Sequence, residues 1–185
     1  MKTSELLSTA HPQALTGVER TLERDEIIVS KTDLAGRITY ANRVFQRISG
    51  YSEKELLGAP HNLVRHPDMP RGVFQLLWET IQGGNELFAY VINRAKNGDH
   101  YWVLAHVTPT FDAHGKLVGY HSNRRAPARA AIETVWPLYR ELCQLEAATG
   151  ERKEAMTRSR VRLGEVLAAQ GLDVQRLAFV LQGAG

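Results

Sequence analysis

Alternating hydrophobic and polar residues near the start of the chain predict two paired strands. The runs 26–30 and 37–40 are rich in β-branched residues, and residues 33–36 between them include Asp and Gly, as turns do. The sequence therefore predicts a β-hairpin that begins just after residue 25.

Helical spacing replaces this alternation after the hairpin. Asn42 can cap one short helix, and Ser52 opens a capping box for a second. A longer helix is predicted from Pro70 to Gly83, because its apolar residues recur every three or four positions. These residues are Val73, Phe74, Leu77, Trp78 and Ile81.

Alternation returns in three segments, 87–93, 101–108 and 117–122. Asn97-Gly98 separates the first two and is typical of a tight antiparallel turn, and 112–115 has the composition of a second turn. Two strands, a group of helices and three more strands predict an α+β fold. We expect a five-stranded antiparallel sheet with helices on one face.

The segment after residue 125 has helical spacing again. Pro137 interrupts its first apolar stripe and is expected to kink or restart that helix. Further helices are predicted over 161–169 and 174–181. Such stripes must be buried, either against the central domain or in a dimer seam or docking helix for a signalling partner.

These patterns divide the chain into three parts. A polar N-terminal lead covers residues 1–24, a central domain covers 25–125, and a helical extension covers 126–185. The extension is predicted to serve signalling or dimerisation.

Composition and charge exclude several partners and locations. The chain has 23 Lys and Arg against 20 Asp and Glu, a net charge of +3, which is too mild to indicate nucleic-acid binding. A single cysteine, Cys143, is typical of a reducing compartment. No apolar run approaches the roughly 20 residues of a membrane span, and residues 1–17 lack the apolar core of a signal peptide. We therefore predict a cytoplasmic protein without a membrane span.

No motif indicates an enzyme. The sequence lacks a phosphate-binding loop, a Rossmann glycine motif, a G-x-S-x-G elbow and an H-E-x-x-H metal motif. The Cys and His residues have no metal-ligand spacing. We predict neither catalysis nor a metal site.

A stiff polar loop before the long helix carries candidate binding residues. The prolines that bracket this loop restrict its backbone, so its side chains are held at set positions. Arg65 presents a planar fork suited to a diphosphate, and His66 and Asp68 can orient one another through hydrogen bonds. The same residues could instead form a structural network in which Asp68 caps the following helix and pairs with Arg65.

The order of elements and several motifs resemble a PAS domain. These motifs are D-L-A-G-R-I-T-Y-A-N, F-x-x-I-S-G-Y-S and N-G-D-H-Y-W-V. The stretches 60–70 and 93–103 are similar, more particularly, to the PAS domain of the bacterial aerotaxis receptors, which holds FAD and reports redox state. The resemblance covers about residues 25–140.

The resemblance implies an FAD site between the sheet and its helices. The residues expected to bind the cofactor are Asn42, Arg65, His66, Asp68, Phe74, Trp78, Asn93 and Trp102. Trp102 would pack against the flavin ring, and the amides of Asn42 and Asn93 would pair with its polar edge. Structural alternatives stay open, because the aromatic residues could be plain core, Asn42 an N-cap and Asn93 a strand-end residue.

The implied function is a cytoplasmic sensor of redox state or oxygen in signal transduction of the aerotaxis type. A change in the flavin ring would alter its hydrogen bonds, and the sheet and C-terminal helices would pass the change to a signalling partner or output domain. A homodimer is expected.

The sequence leaves two alternatives open. Aerotaxis-type domains often carry Trp and Gly where this chain has Leu87 and Ala89, and bulky Phe88 and Tyr90 stand beside them. A filled cavity would leave a ligand-free interaction and dimerisation module. A haem sensor would use His61 or His66 as the axial ligand, whereas Cys143 lies too late in the chain for thiol photochemistry.

Overall fold

A computed structural model describes residues 14–183 of the chain as five strands, six α-helices and one short 3-10 helix. The strands are β1 (Ile28–Thr32), β2 (Ile38–Ala41), β3 (Leu87–Arg94), β4 (His100–Phe111) and β5 (Leu117–Arg125). The helices are α1 (Arg43–Ser49), α2 (Glu53–Leu56), the 3-10 helix (His61–Val64), α3 (Arg71–Gln82), α4 (Arg129–Ala147), α5 (Arg152–Ala169) and α6 (Val174–Gly183). Residues 1–13 of the predicted N-terminal lead, with most of the segment tested for a signal peptide, lie outside the described residues.

The five strands form one antiparallel sheet in the order β2-β1-β5-β4-β3. The hairpin β3-β4 turns at Gly98, whose φ of 95° is a conformation that glycine adopts without strain. A side chain at Gly98 would also strike the carbonyl oxygen of Ala14, because the N-terminal segment crosses this turn. The predicted α+β fold with a five-stranded antiparallel sheet is confirmed.

Local capping explains the short helices between the two halves of the sheet. The Asn42 side chain accepts a hydrogen bond from the backbone N–H of Phe45, and Ser52 forms its capping box with Glu55. Gly50 ends α1 in the left-handed conformation. Pro70 was expected as the first residue of α3 and stands one position earlier, at its N-cap.

Helices cover both faces of the sheet. The face toward α3 carries Val91, Asn93 and Ala105. On the opposite, outer face, Tyr139 of α4 donates a hydrogen bond to the carbonyl oxygen of Tyr90 at 2.6 Å, and α6 packs against β3. The C-terminal extension thus packs against the central domain, the first of the two arrangements expected for its apolar stripe.

The helices of the extension differ from their predicted extents. The restart considered at Pro137 is wrong, because α4 is a single helix with this exposed proline inside it. Helix α5 begins at Arg152 rather than near residue 161, since the Glu151 carboxylate caps its first turn and accepts from two backbone N–H groups. Its first half is polar, so hydrophobic spacing did not indicate it. Over residues 14–183, every helix is too short or too polar to cross a lipid bilayer.

Candidate functional site

A cavity of about 500 Å³ lies between the inner face of the sheet, helix α3 and the loop that contains the 3-10 helix. This volume falls within the roughly 300–1,000 Å³ typical of small-molecule sites. Residues of the first turns of α5 form part of its rim. Among the described residues, no cluster of His, Cys, Asp or Glu could hold a metal ion.

The lining of the cavity includes a buried guanidinium. Arg124 of β5 is 2% exposed, donates from Nη2 to the Ser30 hydroxyl at 2.5 Å, and lies over the Phe45 ring at 4.4 Å. Its Nε and Nη1 have no hydrogen-bond partner, and no carboxylate within residues 14–183 pairs with it. Burial lowers the pKa of Arg124 to about 10, so the group is still charged at neutral pH. A buried cation with two free donors calls for a ligand that supplies acceptors.

A hydrogen-bonded chain links this arginine to the 3-10 helix. Ser30 Oγ accepts from Nη2 of Arg124 and lies 3.1 Å from Nε2 of His61, within hydrogen-bonding distance. Burial, followed by the charge of Arg124, lowers the pKa of His61 to about 3. The imidazole is therefore neutral at physiological pH.

The polar loop contributes Arg65 to the cavity wall. An isolated bridge joins the backbone of Arg65 to Asn93 of β3, and Nη2 donates to the carbonyl oxygen of Met69 at 2.7 Å. The guanidinium lies over the Phe74 ring at 5.2 Å, and its buried Nε has no partner. Burial, followed by the charge of Arg71, lowers the pKa of Arg65. The structure thus joins Arg65, Phe74 and Asn93, three of the residues predicted to bind the cofactor.

Trp78 forms a further wall, as predicted. Its ring packs edge-on against Tyr120 with centroids 5.4 Å apart. It also lies over Gly36, where an added Cβ would come within 3.0 Å of the ring. Asn93 lines the same cavity and is 4% exposed. Its amide can both donate to and accept from a ligand.

Trp102 does not reach the cavity, which corrects its predicted position. Asn93 pairs with Tyr101 in the β3-β4 ladder, so alternation places Tyr101 on the inner face and Trp102 on the outer face. There its ring packs edge-on against Trp136 of α4, with centroids 5.8 Å apart. The indole is a core residue beneath α4, the structural alternative.

Asn42, His66 and Asp68 also lie outside the cavity lining. The Asn42 amide is consumed by backbone groups, accepting from Val29 and Phe45 and donating to Ile27. All three residues were predicted to bind the cofactor, and the structure instead places them outside the lining of this cavity. Asn42 is the N-cap of α1, which is the structural alternative.

The His66 ring is buried behind the loop, where Nδ1 accepts from the backbone N–H of Asp68 at 3.2 Å. Its ring stands edge-on to His100. The Asp68 carboxylate is half exposed and lies 3.7 Å from His66 Nδ1. These two residues shape the loop that presents Arg65.

Several lining residues were not predicted. Ser30, Ser122 and Arg124 lie on the inner face of neighbouring strands, and Ser30 pairs directly with Ser122. Strand alternation combined with this register could have found them. Nothing in the sequence pattern indicated Arg152 and Met156, which reach the rim from α5.

Phe88 and Tyr90, the bulky residues on which the filled-cavity alternative depends, point away from the cavity. Phe88 stacks on His106 with centroids 4.0 Å apart, and the Tyr90 hydroxyl donates to the carbonyl oxygen of Ala178 in α6. Both contacts lie on the outer face, whereas the smaller Leu87 and Ala89 are buried on the inner side. The hollow is therefore open.

Neither the two candidate haem ligands nor the candidate thiol is placed for its suggested role. His66 lies outside the cavity lining, and His61 Nε2 is engaged by Ser30. Cys143 lies in α4, also outside the lining, with Sγ donating to the carbonyl oxygen of Asp68 at 3.3 Å. Burial raises the pKa of its thiol to about 11, so the reactive thiolate is scarce.

Comparison with known proteins identifies relatives of this domain. Residues 38–124 match the PAS fold family. The chain is 44% identical over 134 residues to the aerotaxis receptor of Escherichia coli, and this alignment covers 72% of the chain and 26% of the receptor. It is 30% identical over 134 residues to a nitrogen fixation regulatory protein of Klebsiella pneumoniae, covering 68% of this chain and 27% of the relative. The chain thus spans about a quarter of the length of these relatives.

Solved structures support the fold. A light-oxygen-voltage domain studied with a flavin analogue superposes with a TM-score of 0.53 at 18% identity, covering 60% of this chain and 83% of that one. The light-state structure of the blue-light photoreceptor Aureochrome1 domain gives a TM-score of 0.52 at 22% identity, covering 62% and 90%.

Proposed function

Since this chain carries a PAS domain related to that of the aerotaxis receptor, we infer that it is a cytoplasmic flavin sensor that binds FAD and responds to redox state or oxygen. The observation that carries this proposal is an open cavity of about 500 Å³ whose lining includes the buried Arg124, with two N–H-bearing atoms that have no hydrogen-bond partner among the described residues.

The residues present fit a flavin. Its ring is flat and largely apolar with a polar edge, and the cavity pairs aromatic walls at Phe74 and Trp78 with the polar groups of Asn93 and Arg124. Arg65 Nε, buried and unpartnered, adds another donor for an acceptor-rich ligand.

When bound, a flavin supplies reversible one- or two-electron chemistry, and the chain supplies binding and electrostatics. Arg124 favours added negative charge in the cavity, because no carboxylate among residues 14–183 neutralises it. The Asn93 amide can donate or accept and can therefore follow a change in the ligand's hydrogen bonding. Leaving one such buried group unpaired costs about 1–3 kcal/mol, enough to bias a two-state element.

The sheet offers a route from the cavity to the extension. Val91 and Asn93 face the cavity, whereas Tyr90, the residue before Val91, faces the helices of the extension. Its hydroxyl donates to the carbonyl oxygen of Ala178, and its backbone carbonyl accepts from the Tyr139 hydroxyl. A shift of β3 would therefore be felt by both α4 and α6. We include in the proposal that residues 126–185 form the signalling or dimerisation extension of a sensor domain at 25–125, that the protein forms a homodimer, and that it acts on a partner protein or output domain rather than as an enzyme.

The cofactor can be tested on the full chain purified in the dark. Denaturation should release about one FAD per chain, and apo-protein should take up added FAD with a change in flavin absorbance. Arg65→Ala and Asn93→Ala should lower FAD occupancy, and the loss in free energy of FAD binding should exceed the loss in free energy of unfolding of the apo-protein. Arg43→Ala, at an exposed position of α1, is the matched surface control.

A colourless protein that does not take up FAD would overturn the cofactor proposal and favour the ligand-free interaction module. A haem Soret band would overturn it in favour of haem. The sensing step has a separate test, in which anaerobic reduction and reoxidation by air should change amide exchange in residues 126–183. Identical exchange in both states would contradict signal transfer through the extension.

A further inference from the structure

Helix α5 docks on α3 at a crossing that leaves no room for a side chain. A Cβ at Gly72 would lie 2.6 Å from both the backbone nitrogen of Arg160 and the Ser159 hydroxyl. Glu146 of α4 accepts from the Gly72 backbone N–H at 3.0 Å, and Arg160 pairs with Glu79 at 2.6 Å. The position of α5 relative to α3 is therefore fixed by backbone packing and by polar contacts.

This docking brings two residues of the extension to the cavity. Arg152 and Met156, at the start of α5, line it beside Arg71 and Gln75 of α3. The Oε1 atom of Gln75 is buried without a partner. Arg152 is exposed and forms no ion pair within residues 14–183, so its guanidinium is available at the rim.

The rim is cationic. Arg71 at the start of α3 and Arg152 at the start of α5 lie near enough to Arg65 of the loop for their charges to act on it. Burial is the main reason the pKa of Arg65 is lowered, and the charges of Arg71 and Arg152 lower it further, while Glu146 opposes them. Glu79 also lines the cavity, but its carboxylate is engaged by Arg160. At this rim, guanidinium groups therefore outnumber free carboxylates.

We propose that α5 completes the cofactor site, with Arg152 and Arg71 binding the phosphate groups of a dinucleotide flavin while Met156 closes the rim. The inference rests on the proposed function and adds to it a recognition element outside the PAS domain. Arginine presents paired N–H donors that match phosphate oxygens, and the rim is where a polar tail would leave a cavity that holds the ring.

Two consequences follow from this placement. Binding of FAD and docking of α5 are linked, so each must strengthen the other by the same factor. The extension also makes the site selective for FAD over riboflavin, because only a ligand with phosphates reaches Arg152.

The test compares FAD and riboflavin on full-length apo-protein by fluorescence titration. Arg152→Ala should weaken FAD binding about five- to tenfold and leave riboflavin binding within about twofold. It should also reduce the salt dependence of FAD affinity. Arg158→Ala removes the same charge from the same helix, away from the cavity, and should leave both affinities unchanged.

The outcomes separate this inference from the proposed function. Wild-type protein that binds neither ligand would overturn both. Wild-type protein that binds FAD while Arg152→Ala behaves like Arg158→Ala would overturn only the role of α5. Equal losses for FAD and riboflavin would show that Arg152 acts structurally, which also overturns the inference; chemical unfolding of each apo variant identifies this case independently.

Discussion

The ring of Trp102 packs edge-on against Trp136, with centroids 5.8 Å apart, on the face of the sheet opposite the cavity. Tyr139 of the same helix lies 6.0 Å from Trp102. This aromatic cluster attaches α4 to the sheet, so the most prominent aromatic residue of β4 holds the extension rather than the ligand.

Substitution of Trp102 should therefore affect stability and not flavin binding. Trp102→Ala removes a ring that is 6% exposed and should lower the free energy of unfolding by about 3–5 kcal/mol. Trp102→Phe keeps part of the contact and should cost less. Flavin affinity, measured well below the unfolding temperature, should stay within about twofold of wild type in both variants. A selective loss of affinity in Trp102→Phe would contradict the placement on the outer face.

The position of Trp102 illustrates how far the sequence predicts the site. Alternation correctly gave the strands, and the Asn97-Gly98 turn gave the hairpin. Which face a residue occupies depends on the register, since a shift of one residue exchanges the faces. Asn93 opposite Tyr101 sets that register between β3 and β4. In the next ladder, Arg124 pairs with Ala105 and Ser122 with Val107, which places both on the inner face.

The part of the cavity wall that the sequence did not predict depends on tertiary contacts between segments that are distant in the chain. Arg152 is 87 positions after Arg65 in the chain, since 152 minus 65 is 87, and no local pattern relates the two. They share a rim only because Gly72 permits α5 to approach α3. A stripe of apolar residues predicts that a helix is buried, but it does not say against what.

Replacement of Arg124 should separate stability from binding. Arg124→Met removes a buried cation that has no carboxylate partner among the described residues. The free energy of unfolding of the apo-protein should stay within about 1 kcal/mol or rise, because a buried charge is costly to desolvate. Flavin affinity should fall about tenfold or more, since hydrogen bonds from a charged donor are lost.

Arg125→Met, at the next and exposed position of β5, is the matched control for both measurements. Titration calorimetry and chemical unfolding of the two variants side by side decide the outcome. Parallel losses of apo stability and affinity in Arg124→Met would mean that the guanidinium holds the fold rather than the ligand.

His61 should give the apo-protein a pH-dependent stability on the acidic side. Its pKa is lowered from 6.5 to about 3 in the folded chain, mainly by burial. Above pH 6.5 the imidazole is neutral in both states and contributes no pH dependence. As the pH falls from 6.5 toward 3, only the unfolded chain takes up the proton, so unfolding becomes easier by about 2 kcal/mol at pH 5.

Urea unfolding at pH 7 and pH 5 measures this effect. His61→Gln should lose about 2 kcal/mol less than wild type between the two values. His114→Gln, at an exposed position in the β4-β5 turn, should retain the wild-type difference. The same pH dependence in wild type and His61→Gln would show that His61 is not the buried neutral base.

The close approach of Gly72 to Ser159 offers a variant that displaces α5 without touching a charge. Gly72→Leu places a side chain where 2.6 Å separates a Cβ from the Ser159 hydroxyl and the Arg160 backbone. Backbone atoms cannot move aside as a flexible side chain can, so the helices must separate, at a cost of about 1–3 kcal/mol in the free energy of unfolding. Limited proteolysis should then cut within residues 152–169 sooner than in wild type.

Gly164→Ala on the same helix is the opposite control, because a Cβ there meets nothing within 4 Å. It should stabilise α5 by up to about 1 kcal/mol through helix propensity and slow the same cleavage. If α5 contributes to the site, FAD affinity should follow its docking, falling in Gly72→Leu while riboflavin affinity stays within about twofold. Faster cleavage together with unchanged FAD affinity would mean that the helix covers the domain without serving its ligand.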